Sequence, residues 1–382
     1  MTISYNKLRV QVDLDNIRHN YRILKNRGSD VFGVIKADAY GHGLVEVGKA
    51  IADEGCTTFA VGTVDEAVQL IEGGVSGRII ALLGPVDEQD FLNLFKYDVV
   101  PFIGNIPQLE RLVKTFDLLP EELKGATVRI SVKLDTGMAR LGFRKGDMPR
   151  VIELLQENPR IVPELVSSHL ATADDPEQFA YVEKQGERFE EMYGMLRDAG
   201  FNPEPNIANS AGLIKHDVLH HACQRGGIAL YGCDPLKETA AFEDFGFKPA
   251  MEVTTKVMQV HSLPKGETVS YGRTFRAKED MQIAFVGAGY ADAYSRGLSN
   301  KGYMCLHGKR VPIVGRVCMQ LTAVDITALV RESVQVQVGD DIHLLGGEGE
   351  GRISPEELAD WWGTITYEVF CLLGLNPKDF SE

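Results

Sequence analysis

Between about residues 12 and 230, short apolar runs alternate with amphipathic stretches, and this alternation restricts the fold more than any other feature. Leu14, Ile17, Tyr21 and Leu24 recur at three- and four-residue spacing, which predicts a helix. The following run, DVFGVIK, is continuously apolar, as expected of a strand buried on both faces. Helical pattern through LVEVGKAIADEG leads to TTFAVG, and VDEAVQLIEGG leads to GRIIALLG. VVPFIG, ATVRISVKLD, PELVSSHL, PNIAN and HHACQRG continue the series, most of them separated by helical pattern. Eight strands in about 220 residues is the length and rhythm of an α/β (β/α)8 TIM-type barrel. A doubly wound open sheet is the alternative, but eight repeats in one direction favour closure.

After about residue 240 the rhythm changes. FKPAMEVTTKVMQVHSL, GETVSYGRTF, MQIAFVGAGYAD, GYMCLHGKRVPIVGRVCM and DDIHLLGG alternate apolar with polar residues. Turn residues separate them, including Pro264-Lys265-Gly266 and the stretch GGEGEGR. Helices are expected near ISPEELADWWG and at TYEVFCLLG. The expected division is a barrel over 12–240 and a C-terminal, mainly antiparallel β domain over 241–382, with 1–11 belonging to it.

Composition narrows the function. Lys+Arg 40 against Asp+Glu 54 gives a net charge of −14, and no basic block interrupts the acidity. Such a chain is a poor partner for nucleic acid or an anionic membrane. No run of about 18 apolar residues predicts a membrane span, and the charged N-terminal segment lacks a signal-peptide core. Six cysteines without a CxxC pair argue against a disulfide framework or structural zinc, so the expected compartment is the reducing cytoplasm. His220, His221 and Cys223 match no common metal-site spacing, and no metal is expected.

A barrel of this kind carries its chemistry at the carboxyl ends of its strands. Lys36 follows the buried run 31–35 and precedes ADAYGHG, a position suited to a lysine with a depressed pKa; a lysine snorkelling from the barrel mouth would look the same. Lys133 and Arg140 lie at and beyond the fifth strand, and His169 ends the sixth. Asn209 and Ser210 close the seventh, and Arg225 ends the eighth. Adjacent glycines in GGIALYG could turn backbone N–H groups toward a phosphate. Singly, Arg225 could pair with an acid and His169 could be a satisfied core histidine. Polar groups at five strand ends together are harder to dismiss.

VIKADAYGHG, KLDTGMARLGF, SHLATAD, ANSAG, RGGIALYG, VSYGRTF, GYADAYSRGLSNKG, VGRVCM and TITYEV, in this order, resemble the bacterial alanine racemases of pyridoxal-phosphate fold type III. The resemblance runs from about Val10 to Leu375 and implies a barrel followed by a β domain. It also implies a homodimer whose active sites are completed by the partner. The implied activity interconverts L- and D-alanine by a two-base mechanism on pyridoxal 5'-phosphate, supplying D-alanine for peptidoglycan. Lys36 matches the lysine that holds the cofactor and serves as base on one face of the substrate. Tyr271 matches the tyrosine that reaches the other face from the second subunit, an arrangement racemisation requires. His169 and Arg225 match a hydrogen-bonded chain supporting that tyrosine.

Arg225 would also face the pyridine nitrogen. Because an arginine keeps its proton, the nitrogen would stay unprotonated and the ring would be a weaker electron sink. That favours racemisation over transamination; decarboxylases of this fold type use an acidic residue there. The resemblance assigns the phosphate to Tyr40, Ser210, the backbone of Gly227 and Ile228, and Tyr367. Arg140 is assigned to the cofactor's phenolic oxygen and the substrate carboxylate, and the Met319 N–H to the substrate carboxylate. Lys133 matches a lysine that the family often carbamylates, though an ion pair with Asp135 is an ordinary alternative. Tyr290 and Ile365 match residues of the substrate entrance, with Arg316 and Asp174 further out.

The chain departs from the family twice. Gln320 stands where aspartate is common, which opens an alternative of broader amino-acid specificity, such as serine or basic amino acids. Asn206 begins the segment usually reading HxANS, and is expected to affect packing more than chemistry. A decarboxylase is disfavoured by Arg225, and a non-catalytic cofactor carrier by the domain that bears Tyr271.

Overall fold

A computed structural model describes residues 7–28, 30–237 and 239–382. It divides the chain into two compact units. One comprises Asn16–Ala39 and Leu44–Lys248; the other comprises Tyr40–Gly43, Pro249–Glu382 and the described residues up to Asp15. Residues 1–6 of the segment assigned by sequence to the β domain lie outside the described residues.

Strand β1 (Arg9–Asp13) belongs to the second unit, and helix α1 (Leu14–Lys25) opens the alternating series. The barrel strands follow as β2 (Val31–Val34), β3 (Thr58–Val61), β4 (Arg78–Ala81), β5 (Val100–Ile103), β6 (Val128–Lys133), β7 (Ile161–Ser167), β8 (Glu204–Asn206) and β9 (Gln224–Gly226). Each corresponds to one of the eight runs read from the sequence. All pairs are parallel, in the order β8-β7-β6-β5-β4-β3-β2-β9, a nearly closed barrel. Every residue of β2, β3 and β5 is buried, which is why these strands are apolar throughout rather than alternating. Helices between them bury one stripe each; α4 (Val64–Glu72) buries Val64, Ala67 and Leu70 at that period.

The ends of the sheet, β8 and β9, share no ladder. The Arg225 N–H donates to the Ala208 carbonyl at 3.0 Å and ties the chain across this seam.

Charges gather near the amino ends of the strands. Arg78 reaches Glu204 at 2.8 Å, Glu164 at 3.0 Å and Asp30 at 3.3 Å. Arg129 bridges Glu164 at 2.9 Å and Asp98 at 2.8 Å, so one carboxylate links both arginines. Burial works against the charge of Arg78, but the hydrogen bonds and charges of Glu204 and Glu164 outweigh it and raise its pKa.

In the second unit, β10 (Met251–Leu263) is the spine. Its first half pairs with β1 and with β17 (Asp341–Leu345), and its second half with β13 (Met281–Val286). β11 (Thr268–Val269) and β12 (Phe275–Arg276) form a short hairpin, β14 (Tyr303–Leu306) and β15 (Lys309–Pro312) another, and β16 (Thr322–Asp325) pairs with β13. All these pairs are antiparallel; β18 (Lys378–Ser381) runs parallel to β1. Helices α11 (Pro355–Trp362) and α12 (Thr366–Leu373) fall at the two expected segments. A bulge in β10 between Val257 and Gln259 marks the change of partner. Among the described residues, no helix is long and apolar enough to cross a membrane.

Arg78→Met removes the cation shared by three carboxylates. Because the network is partly exposed, the unfolding free energy should fall by about 1–3 kcal/mol in urea titration. A loss under about 0.5 kcal/mol would mean that water already neutralises the acids.

Candidate active site

Lys36 begins immediately past β2 and Ile35, at the carboxyl end of the strand. The turn that it opens, Lys36–Gly41, is left-handed: Ala37, Asp38, Ala39 and Tyr40 have φ of 53°, 54°, 53° and 53°. L-residues avoid this conformation at a cost of about 1–2 kcal/mol each. The Ala39 N–H donates to the Ile35 carbonyl at 2.9 Å, and Asp38 Oδ1 accepts from the Leu44 N–H at 2.8 Å.

Arg225 is buried at the end of β9 with 4% of its surface exposed. Its Nη1 donates to Asn206 Oδ1, and its Nη2 lies 2.6 Å from the Ser168 carbonyl, 3.1 Å from that of Ile207 and 3.2 Å from His169 Nδ1. A guanidinium only donates, so His169 Nδ1 accepts and the neutral imidazole carries its proton on Nε2. Burial holds the His169 pKa well below its usual value, reinforced by Arg225, Lys133, Arg140 and Lys36. Burial also draws Arg225 down to about 10, which leaves it charged at neutral pH.

Lys133, on the last residue of β6, is buried with its Nζ 5.8 Å from the Phe102 ring centre. Burial pulls its pKa well down, and Arg225 and Arg140 pull further, with Asp135 opposing. Asp135 is not its ion-pair partner. That carboxylate accepts from the Gly137 and Ala139 N–H groups and shapes its own loop. Among the described residues, Lys133, Arg140 and Arg225 form no ion pair with a carboxylate. A cluster of cations left without acids suits an anionic ligand.

Ser210, which opens α9 (Ser210–Lys215), points its Oγ at two backbone donors, Gly227 N–H at 2.8 Å and Ala229 N–H at 3.4 Å. The hydroxyl therefore keeps its own proton to donate. Asp174 is exposed on the loop after β7 and is not drawn into the cationic cluster.

The remaining residues belong to the second unit. Tyr40 is buried with its ring 5.8 Å from that of Tyr367. Burial, then Tyr367 and Cys371, push its phenol far above the ordinary tyrosine range, so it is a neutral donor. Tyr271 sits in the loop of the β11–β12 hairpin, where Ser270, Gly272 and Arg273 all have positive φ, and is 73% exposed. Ser270 Oγ donates to the Arg316 carbonyl at 2.6 Å; Tyr290 and Ala291 N–H groups donate to Cys318 and Met319 carbonyls at 3.1 and 2.9 Å. Tyr271, Arg316, Met319 and Tyr290 are thus held in one connected surface segment, with Met319 and Tyr290 exposed. Ile365 and Tyr367 stand, also exposed, at the start of α12.

Two residues carry more than the sequence reading gave them. Asn206, expected to matter for packing, is bonded directly to Arg225; its Nδ2 donates to Ser167 Oγ at 2.7 Å, and Ser167 Oγ is 2.7 Å from Ser131 Oγ. Glu66 accepts from Ala37, Asp38, Gly62 and Thr63 N–H groups around Lys36. The T-x-x-E spacing of Thr63 and Glu66 after a buried strand signals a capping box, but nothing local connects it to Lys36.

The fold is a (β/α)8-type barrel with a separate β domain, and the cations at the barrel mouth suit a small anionic molecule. The chain belongs to the alanine racemase family: "Alanine racemase, N-terminal domain" matches residues 12–235, and "Alanine racemase, C-terminal domain" matches 250–379. It is 48% identical to an alanine racemase of Nitratidesulfovibrio vulgaris (strain DSM 19637 / Miyazaki F) over 383 residues, covering 100% of both chains. Identity to the alanine racemase of Lawsonia intracellularis is 40% over 366 residues, 96% of this chain and 95% of that one. The crystal structure of alanine racemase from Bacillus anthracis with bound L-Ala-P superposes with a TM-score of 0.90 at 32% identity, covering 100% of this chain and 96% of that one.

The neutral His169 has a measurable signature. An unfolded histidine takes up a proton below about pH 6.5. The folded one resists, so its contribution to stability is present above that pH and is lost as the pH falls, by up to about 1.4 kcal/mol per unit. In the cofactor-free protein, the decline in unfolding free energy from pH 6.5 to 5 should be shallower for His169→Gln. Equal slopes would mean that the folded imidazole takes up its proton over the same pH range as the unfolded one.

Proposed function

We infer that this protein interconverts L- and D-alanine with pyridoxal 5'-phosphate, in the cytoplasm, as a homodimer that supplies D-alanine for cell-wall synthesis. One observation carries the reading: Lys36 ends a barrel strand beside cations that lack carboxylate partners, in a chain matched end to end by the family. The residues suit the cofactor's chemistry. Its phosphate would be held by the Ser210 hydroxyl and the Gly227–Ile228 backbone, and by the phenols of Tyr40 and Tyr367. Gly227 N–H already donates to Ser210 Oγ, so its share requires that bond to exchange.

The cofactor, when bound, supplies an electron sink that acidifies the substrate Cα–H. Lys36 moves the proton on one face and the partner's Tyr271 on the other, so that inversion needs no rotation of the substrate. Arg225 would face the pyridine nitrogen and would not give it a proton, because a guanidinium charged at neutral pH has no tendency to release one. His169, fixed by Arg225 as the Nε2–H tautomer, supports the tyrosine. Arg140 and the Met319 N–H orient the substrate carboxylate. Carbamylation of Lys133 would turn a poorly tolerated buried cation into an anion beside Arg140, and its depressed pKa supplies the neutral amine this modification needs. Tyr290 and Ile365 would line the entrance, with Arg316 and Asp174 further out. The exposure of Tyr271, Tyr290, Met319, Ile365 and Tyr367 supports a second copy covering that surface. Gln320, exposed beside Met319, favours a broader amino-acid range as the second reading.

Purified protein loaded with pyridoxal phosphate should abolish the optical rotation of L-alanine, and Lys36→Ala should not. Cofactor uptake without turnover of alanine, but with turnover of serine or a basic amino acid, would favour the second reading. Shared sites make a separate prediction. Lys36→Ala and Tyr271→Phe homodimers should each be nearly inactive, while a re-equilibrated equal mixture should recover about one quarter of wild-type activity, since half of the dimers then carry one intact site. No recovery on mixing would place both residues in sites built from a single chain.

A further inference from the structure

We propose that Glu66 is a positioning residue for Lys36, acting as a clamp on the left-handed turn that the lysine opens. The inference rests on reading Lys36 as the cofactor lysine. Four consecutive non-glycine residues at positive φ form a costly backbone that persists only when its surroundings over-determine it. Such strain is concentrated where a side chain must be aimed. Glu66, from outside the turn, grips its start. Oε1 accepts from the Ala37 N–H at 2.7 Å and the Asp38 N–H at 3.4 Å. Oε2 accepts from the Gly62 N–H at 2.6 Å and the Thr63 N–H at 3.3 Å, which anchors the carboxylate to the end of the neighbouring strand β3.

The anchor is specific to a carboxylate. Four N–H donors meet four acceptor sites on two oxygens, and charge strengthens each bond. Glutamine would present an NH2 group to one pair of donors and lose both of those bonds. Gly62 adds a steric constraint: a Cβ there would stand 2.9 Å from Glu66 Oε2 and 3.6 Å from the Lys36 Cβ, so the absence of a side chain lets carboxylate and lysine approach the same backbone. Glu66 also closes the capping box of α4, with its own N–H donating to Thr63 Oγ1 at 3.1 Å. A purely structural role would be confined to that cap.

Three proteins separate the two roles: wild type, Glu66→Gln, and Thr63→Ala, which removes the hydroxyl half of the cap and leaves the bonds to Ala37 and Gly62. Amide hydrogen exchange of the Ala37–Tyr40 segment, in protein without cofactor, reads the clamp directly. It should quicken about tenfold or more in Glu66→Gln and stay unchanged in Thr63→Ala. On adding pyridoxal phosphate, Glu66→Gln should capture it covalently about tenfold more slowly, followed by absorbance. Its kcat for racemisation per loaded site should fall about tenfold, with KM within about twofold. Thr63→Ala should retain both rates. If Glu66→Gln does not fold, Glu66→Asp, which keeps the charge but shortens the reach, should give the same pattern in smaller measure. Faster exchange with unchanged capture and kcat would overturn the positioning role, as would unchanged exchange. If wild type neither captures the cofactor nor racemises alanine, the functional reading fails instead, and the exchange result still reports on the clamp.

Discussion

Arg225 donates to three oxygen atoms on two neighbouring strand ends: the Asn206 side chain and the Ile207 carbonyl at the end of β8, and the Ser168 carbonyl just past β7. Its own N–H crosses to Ala208. These bonds join β9 to the strand beside it where no ladder does, so one guanidinium both closes the barrel and sits at its mouth. Neutral oxygens satisfy its protons without cancelling its charge. Burial first, and then this charge, push His169 toward its neutral form and Lys133 toward losing its proton. Had an aspartate supplied the acceptors, the seam would still close, but the mouth would lose the charge that orders the residues around it.

The eight barrel strands were legible because each is a continuous apolar run, and a strand such as Thr58–Val61, buried at every residue, has no other pattern open to it. The second unit was legible by alternation, as in β10, where buried and partly buried residues alternate over its first half. The division of labour inside the site was less so. Lys36, Lys133 and Arg225 could be nominated as polar residues at strand ends, but Tyr271 had no pattern of its own and entered only through resemblance. Asn206 reads like any amide before a turn, and its importance comes from a partner 19 residues away. Glu66 bonds two N–H groups 28 and 29 residues distant. Contacts of that separation leave no periodicity.

The left-handed turn is a different failure of legibility. ADAY contains two alanines, the residue most favourable to a right-handed helix, and intrinsic preference would never choose positive φ there. Tertiary bonds override it: Asp38 takes the Leu44 N–H, and Glu66 takes the first two N–H groups of the turn. Among the described residues, local preference is sacrificed beside Lys36 and nowhere else over so long a stretch of non-glycine residues.

The barrel also sorts its charges by depth. Near the amino ends of the strands, arginines share carboxylates; at the carboxyl ends, Lys133, Arg140 and Arg225 share none among the described residues. The chain as a whole carries −14. An approaching anion is therefore repelled by the protein at long range and drawn in only near the mouth, since at physiological salt the field of the outer surface fades over about 8 Å. Rate of arrival and strength of hold consequently respond to salt in opposite directions: added ions screen the repulsion that slows approach, and they also screen the attraction that retains the anion once it is seated.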